Sequence, residues 1–186
     1  MKLVKDAHML AEHFSAYTQW RGDVASGIGE LRKWLQQNEI GDAQSDLRLQ
    51  YLLGHVPTLL HGSVRRALVV GLGTGMTAGS LLDAGELESL RIVEISPAVV
   101  TAARQFAEWN GAVLDDPRTE LAIRDGRHFL ATTDERFDLV TSDPVHPWTR
   151  GSSDLYTLEH FRRIRAVLNP GGVASQWLPL YELSPL

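Results

Sequence analysis

At 186 residues the chain can bury one substantial hydrophobic core with at most a small appendage. A formal net charge of -5 argues against a polyanion as the main partner, so no nucleic acid is expected, and it suits a cationic substrate. The absence of cysteine excludes disulfides, zinc-thiolate sites and a thiol nucleophile, and it fits a cytoplasmic location.

The chain opens on Met1-Lys-Leu-Val-Lys-Asp6, which runs into a mixed polar segment with no apolar core of signal-peptide length. No stretch is long enough to span a bilayer. Leu10, Phe14, Tyr17 and Arg21 share a helical stripe with Met9 and Trp20 beside it, and Ile28, Leu31, Trp34 and Leu35 repeat the spacing. This predicts a helical hairpin over 1–40, with an aromatic packing face, ahead of a second unit over 41–186. A third helix is expected over 46–60, burying Leu49, Leu52, Leu53 and Val56, with Pro57 as a kink or early stop. His55 and His61 lie in it without partners at metal-ligand spacing, so they read as surface or packing residues and no metal is expected.

From Arg66 the pattern alternates between strands and helices. Arg66-Ala-Leu-Val-Val-Gly-Leu-Gly-Thr-Gly-Met76 is an apolar strand leading into glycines and then a helix, the arrangement of a nucleotide cradle. Further strands end in acidic residues: 90–94 at Glu94, 119–125 at Asp125-Gly126, and 137–143 at Asp143-Pro144. Helices are expected over 98–109, 126–130 and 155–168. Asn169-Pro-Gly-Gly172 then makes a turn before a last strand over 173–178. Alternation of this kind gives a doubly covered parallel α/β sheet of Rossmann type.

In such a sheet, ligands bind outside the carboxyl ends of the strands, so three strand-end carboxylates should converge on one crevice. Glu94 is placed to accept hydrogen bonds from ribose hydroxyls. A nicotinamide enzyme would explain Glu94 but has no particular use for Asp125 and Asp143. Structural roles compete: Glu94 could help start the helix at Ser96-Pro97, and Asp125 could cap the one that follows it. Asp143, ahead of a proline and the loop Val145-His-Pro-Trp-Thr-Arg-Gly151, is poorly explained by packing. His146 and Trp148 are possible gate or wall residues of that loop, or an indole anchor for it.

Over 46–183 the chain resembles the spermidine synthase family of polyamine aminopropyltransferases, especially its bacterial spermidine-synthase-like domains. The matching blocks are Gln50 with His55-Val-Pro57, Gly71-Leu-Gly-Thr-Gly75, Val93-Glu-Ile-Ser-Pro97, Asp115-Asp-Pro-Arg118, Asp125-Gly-Arg-His-Phe-Leu130, Asp143-Pro-Val-His-Pro147, Leu155-Tyr-Thr157, Asn169-Pro-Gly-Gly172 and Gln176-Trp-Leu178. The resemblance implies the class I S-adenosylmethionine-dependent transferase fold. It also implies transfer of an aminopropyl group from decarboxylated S-adenosylmethionine to a polyamine such as putrescine. Gly71, Gly73, Thr74 and Gly75 would then hold the nucleoside and sulfonium side, Glu94 the ribose, and Asp125 with Gly126 the adenine edge. Asp143 would be the catalytic carboxylate, with Gln50, His146 and Tyr156 on the amine side.

The chain departs from the family pattern in ways that bear on substrate choice. Thr74 and Leu49 stand where the family usually has an aspartate and a tyrosine, and the fourth strand ends in one aspartate instead of two. The helical segment replaces the family's N-terminal β-hairpin domain, and the sequence ends at Leu186, before the family's last two strands. Intact S-adenosylmethionine, and hence methyl transfer, is the alternative these departures leave open; a non-catalytic nucleoside-binding or assembly domain is another. The apolar edge expected at 173–178 predicts a homodimer, or cover from the N-terminal helices.

Overall fold

The computed structural model describes residues 45–142 and 152–178. The predicted hairpin over 1–40, with Trp20 and Trp34, and the loop residues Asp143, His146 and Trp148 lie outside them. Helix α1 (Ser45–His61) precedes strand β1 (Arg66–Val70), α2 (Met76–Leu82), β2 (Ser89–Glu94), α3 (Pro97–Ala103), β3 (Thr119–Ile123), α4 (Gly126–Thr132), β4 (Phe137–Ser142), α5 (Leu158–Val167) and β5 (Leu168–Gln176). The five strands form one sheet in the order β3-β2-β1-β4-β5, and every pairing is parallel. This is the α/β architecture expected from the alternating pattern.

The core divides in two because successive strand side chains point to opposite faces. Ala67 and Val69 of β1 join Leu90, Ile92 and Leu139, with Leu81 of α2, on one face. Leu68 and Val70 join Val93 and Val140 on the other, where Phe129 of α4 and Ile164 and Val167 of α5 cover them. Both faces of β1 are therefore dry, which explains its unbroken apolar run.

Four local expectations are corrected. In α1 the buried positions are Gly54, His55, Pro57 and Thr58, whereas Leu49 is 40% exposed and Leu52, Leu53 and Val56 are only half-buried. The reason is close approach of helices: a Cβ on Gly54 would lie 2.0 Å from Ser80 Oγ and 3.0 Å from the Thr77 carbonyl of α2. His55, read as a surface or packing residue, is a packing residue, held neutral by burial with its pKa lowered to about 4.

Pro57 does not stop α1. Its missing N–H leaves the Leu53 carbonyl without its helical donor, and the Thr141 hydroxyl of β4 donates to that oxygen at 3.2 Å. Finally, Asn169 to Gly172 lies inside β5. Leu168 pairs with Phe137 and Val173 with Leu139, so four residues bulge opposite Asp138, whose carboxylate accepts from Asn169 Nδ2 at 2.8 Å. The helices predicted over 98–109 and 155–168 are shorter: α3 passes into a 3₁₀ turn at Arg104–Phe106, and another 3₁₀ turn, Ser153–Tyr156, precedes α5.

Candidate functional site

Strand order reverses between β1 and β4, which both extend from the centre of the sheet, so the switch point lies at their carboxyl ends. The glycine loop occupies this place. Gly71, Gly73 and Gly75 all have positive φ, and Gly75 serves as the N-cap of α2 at φ 83°. A Cβ there would be strained by the backbone and would also meet Asn110 Nδ2 at 2.8 Å. The loop is held by backbone bonds from Gly71 N to the Val93 carbonyl and from Gly75 N to the Leu72 carbonyl, each 2.8 Å.

Glu94 fastens the loop from the neighbouring strand. One carboxylate oxygen accepts from Leu72 N and the other from Ser96 N, both at 2.8 Å, and the residue is 6% exposed. Glu94 thus ties the glycine loop to the start of α3, and each carboxylate oxygen keeps a second acceptor direction. Thr74 and Gln50, expected on the nucleoside and amine sides, meet directly: the Thr74 hydroxyl donates to Gln50 Oε1 at 2.6 Å. A neutral hydrogen bond thus occupies the tip of the loop.

Asp125 is the N-cap of α4, accepting from the backbone N–H groups of Arg127 and His128. Its carboxylate is also bound by the Arg127 guanidinium, with Nη2 to Oδ2 at 2.8 Å. That hydrogen-bonded cation, more than the backbone donors, lowers its pKa to about 2, against the opposing effect of burial. Arg127 continues to Asp154, on the same 3₁₀ turn as half-buried Tyr156. Gly126 lies tightly against the sheet, where a Cβ would meet Val70 Cγ1 at 2.6 Å. Strand β4 ends at Ser142, immediately before Asp143 in the sequence.

Sequence reasoning missed Asn110. It is 2% exposed, and its side-chain amide donates to the Thr74 carbonyl at 2.8 Å and the Ala103 carbonyl at 2.9 Å. It clamps the glycine loop to the end of α3. The Asn110-Gly111 pair announces a turn, but its partners are 36 and 7 residues away, so no local pattern marks the clamp. Among the described residues, no group of three or more His, Asp or Glu side chains could hold a metal ion, and no helix is long and apolar enough to cross a membrane.

Residues 47–177 match the model of the spermine/spermidine synthase domain. The chain belongs to this family. It is 39% identical over 124 residues to a polyamine aminopropyltransferase of Aeropyrum pernix, covering 65% of this chain and 40% of that one. A spermidine synthase from Thermotoga maritima superposes with a TM-score of 0.64 at 28% identity, over 73% of this chain and 46% of that one. A spermidine synthase in complex with the transition state analogue AdoDATO gives 0.62 at 27% identity, over 66% and 42%. The chain therefore spans less than half the length of these relatives.

Proposed function

We propose that the crevice binds an S-adenosyl-type nucleoside and that the chain carries out the aminopropyl transfer of its family, from decarboxylated S-adenosylmethionine to a polyamine such as putrescine. The observation that carries this reading is the Glu94 carboxylate at the end of β2, bonded to Leu72 N inside the glycine loop at the point where strand order reverses. A carboxylate so fixed presents its remaining acceptor directions to a ribose diol, while Gly71, Gly73, Thr74 and Gly75 bring backbone close to the sulfonium side. Asp125 and Gly126, at the start of α4, border the adenine edge; Asp125 is already engaged by Arg127, so its share is positional.

The reaction is an in-line displacement. The lone pair of a neutral amine nitrogen attacks the aminopropyl carbon attached to sulfur, the carbon–sulfur bond breaks with its electrons passing to sulfur, and methylthioadenosine leaves. The new secondary ammonium gives up one proton. Asp143 accepts it and beforehand orients the amine through a hydrogen bond, combining general-base work with positioning. Gln50, His146 and Tyr156 border the amine.

The deciding experiment incubates the chain with putrescine and either decarboxylated or intact S-adenosylmethionine and identifies products by mass spectrometry. Spermidine and methylthioadenosine from the decarboxylated compound alone are expected. A methylated amine with S-adenosylhomocysteine would overturn the aminopropyl reading, and no binding of either nucleoside by calorimetry would overturn the site.

A further inference from the structure

The glycine loop does not fix its own shape. Thr74 stands between Gly73 and Gly75, at φ 53° and 83°, and with no Cβ on either neighbour the peptide planes flanking Thr74 turn over at little local cost. The direction of the Thr74 carbonyl is therefore set by what holds it from outside. Two fasteners reach this residue: Gln50 of α1 accepts from its hydroxyl at 2.6 Å, and the Asn110 amide donates to its carbonyl at 2.8 Å.

Asn110 is itself seated on α2. Gly75 and Gly79 lie one helical turn apart; a Cβ on the first would meet Asn110 Nδ2 at 2.8 Å, and one on the second would collide with the Asn110 carbonyl. Between them the two glycines leave a groove that Asn110 fills. After it the chain turns back through Gly111 and Ala112, both left-handed at φ 64° and 51°. Ala112 has no glycine's tolerance for such a conformation, so its surroundings hold the turn in place.

Tyr51 is part of those surroundings. Its hydroxyl donates to the carbonyl of Trp109, the residue before Asn110, at 2.6 Å. Tyr51 is half-buried, follows Gln50 directly, and lies three residues before Gly54, where α1 closes on α2. Helix α1 thus grips the loop by two routes. One runs from Gln50 to the Thr74 hydroxyl, and the other from Tyr51 through Trp109 and Asn110 to the Thr74 carbonyl.

We propose that Tyr51 is a positioning residue of the nucleoside site, holding the turn at 109–112 so that Asn110 keeps the Thr74 carbonyl directed into the protein. It touches no reacting atom. The tether stands on the contacts of Tyr51 and Asn110, and its bearing on a nucleoside rests on the reading of the crevice given above.

The test measures methylthioadenosine affinity by calorimetry for Tyr51→Phe, Asn110→Ala and the double variant. Tyr51→Phe keeps the ring and removes only the hydroxyl, and Kd should rise about threefold to tenfold; Asn110→Ala should raise it about tenfold or more. The double variant should bind no more weakly than Asn110→Ala alone, because both changes act on the same carbonyl. Phe137→Leu, in the core on the far face of the sheet, should lower the melting temperature and leave Kd unchanged. Wild-type affinity in Tyr51→Phe would overturn the proposal, as would additive losses in the double variant or an equal loss in Phe137→Leu. Should Asn110→Ala not fold, the comparison of Tyr51→Phe with Phe137→Leu decides by itself. If wild type binds no methylthioadenosine, the nucleoside reading fails separately, and amide exchange along 73–76 in the unliganded chain decides the tether: faster exchange in Tyr51→Phe sustains it, and identical exchange overturns it.

Discussion

Glu94 holds two backbone N–H groups and, in the proposed complex, a ribose, so its removal has two consequences that can be separated. Glu94→Ala should weaken methylthioadenosine binding about tenfold to a hundredfold through lost charge-assisted hydrogen bonds. It should also lower the melting temperature, since Leu72 N and Ser96 N lose their acceptor. Calorimetry well below the melting temperature isolates the first effect, and unchanged affinity there would remove Glu94 from the ribose site. Asp143→Asn keeps shape and loses charge; turnover should fall about a hundredfold with nucleoside affinity nearly constant, because the amine and not the nucleoside needs the base. Equal losses in both, or in neither, would make Asp143 a structural residue. The place of Glu94 at the end of β2 was legible in the sequence because a carboxylate closes an otherwise mostly apolar strand there. Asn110 was not, since its function is to satisfy carbonyls brought close only by the fold.

At the scale of elements, α4 tests whether a residue proposed at the ligand site also stabilises the fold. Asp125 caps it through two backbone donors and ion-pairs with Arg127. Replacement by Ala should cost about 1 kcal/mol, the usual worth of such a cap. Because the folded pKa of Asp125 is depressed to about 2, this contribution is complete above the ordinary carboxylate range and is lost as pH falls through about 2. The difference in melting temperature between wild type and Asp125→Ala should therefore be constant near neutrality and shrink steadily below pH 4. A difference unchanged at pH 2 would mean that the ionised cap is not its source. The strands were legible because β1, β2 and β4 are apolar runs with sharp ends. Helix α1 was not: counting leucines selected Leu49, Leu52, Leu53 and Val56, whereas the close approach to α2 that buries Gly54 follows from the absence of a side chain. Likewise Pro57 suggested a break, and only the fold could supply Thr141 as the replacement donor.

For the molecule as a whole, the side of the sheet beyond β5 decides how the chain assembles. Among the described residues this strand pairs only with β4, so one row of its backbone groups faces away from the sheet. Edge strands that remain monomeric are usually blunted by charge or proline, and Val173-Ala-Ser-Gln-Trp-Leu178 carries neither. Leu178 is 46% exposed, and on α1, which packs against β4 and β5, Leu49 and Leu60 are 40% and 50% exposed. An unpaired edge and a helix with exposed leucines are arranged together, which favours one covering body over scattered exposure. We propose a homodimer that buries this side of the sheet, with the N-terminal segment and its aromatic stripe as the competing cover. Light scattering at micromolar concentration should give twice the chain mass of 20.6 kDa, and amide exchange along 173–178 should be slow and should quicken on dilution. Slow exchange in a monomer would assign the cover to the chain's own N-terminal segment, and a monomer exchanging rapidly along the same residues would remove both forms of cover.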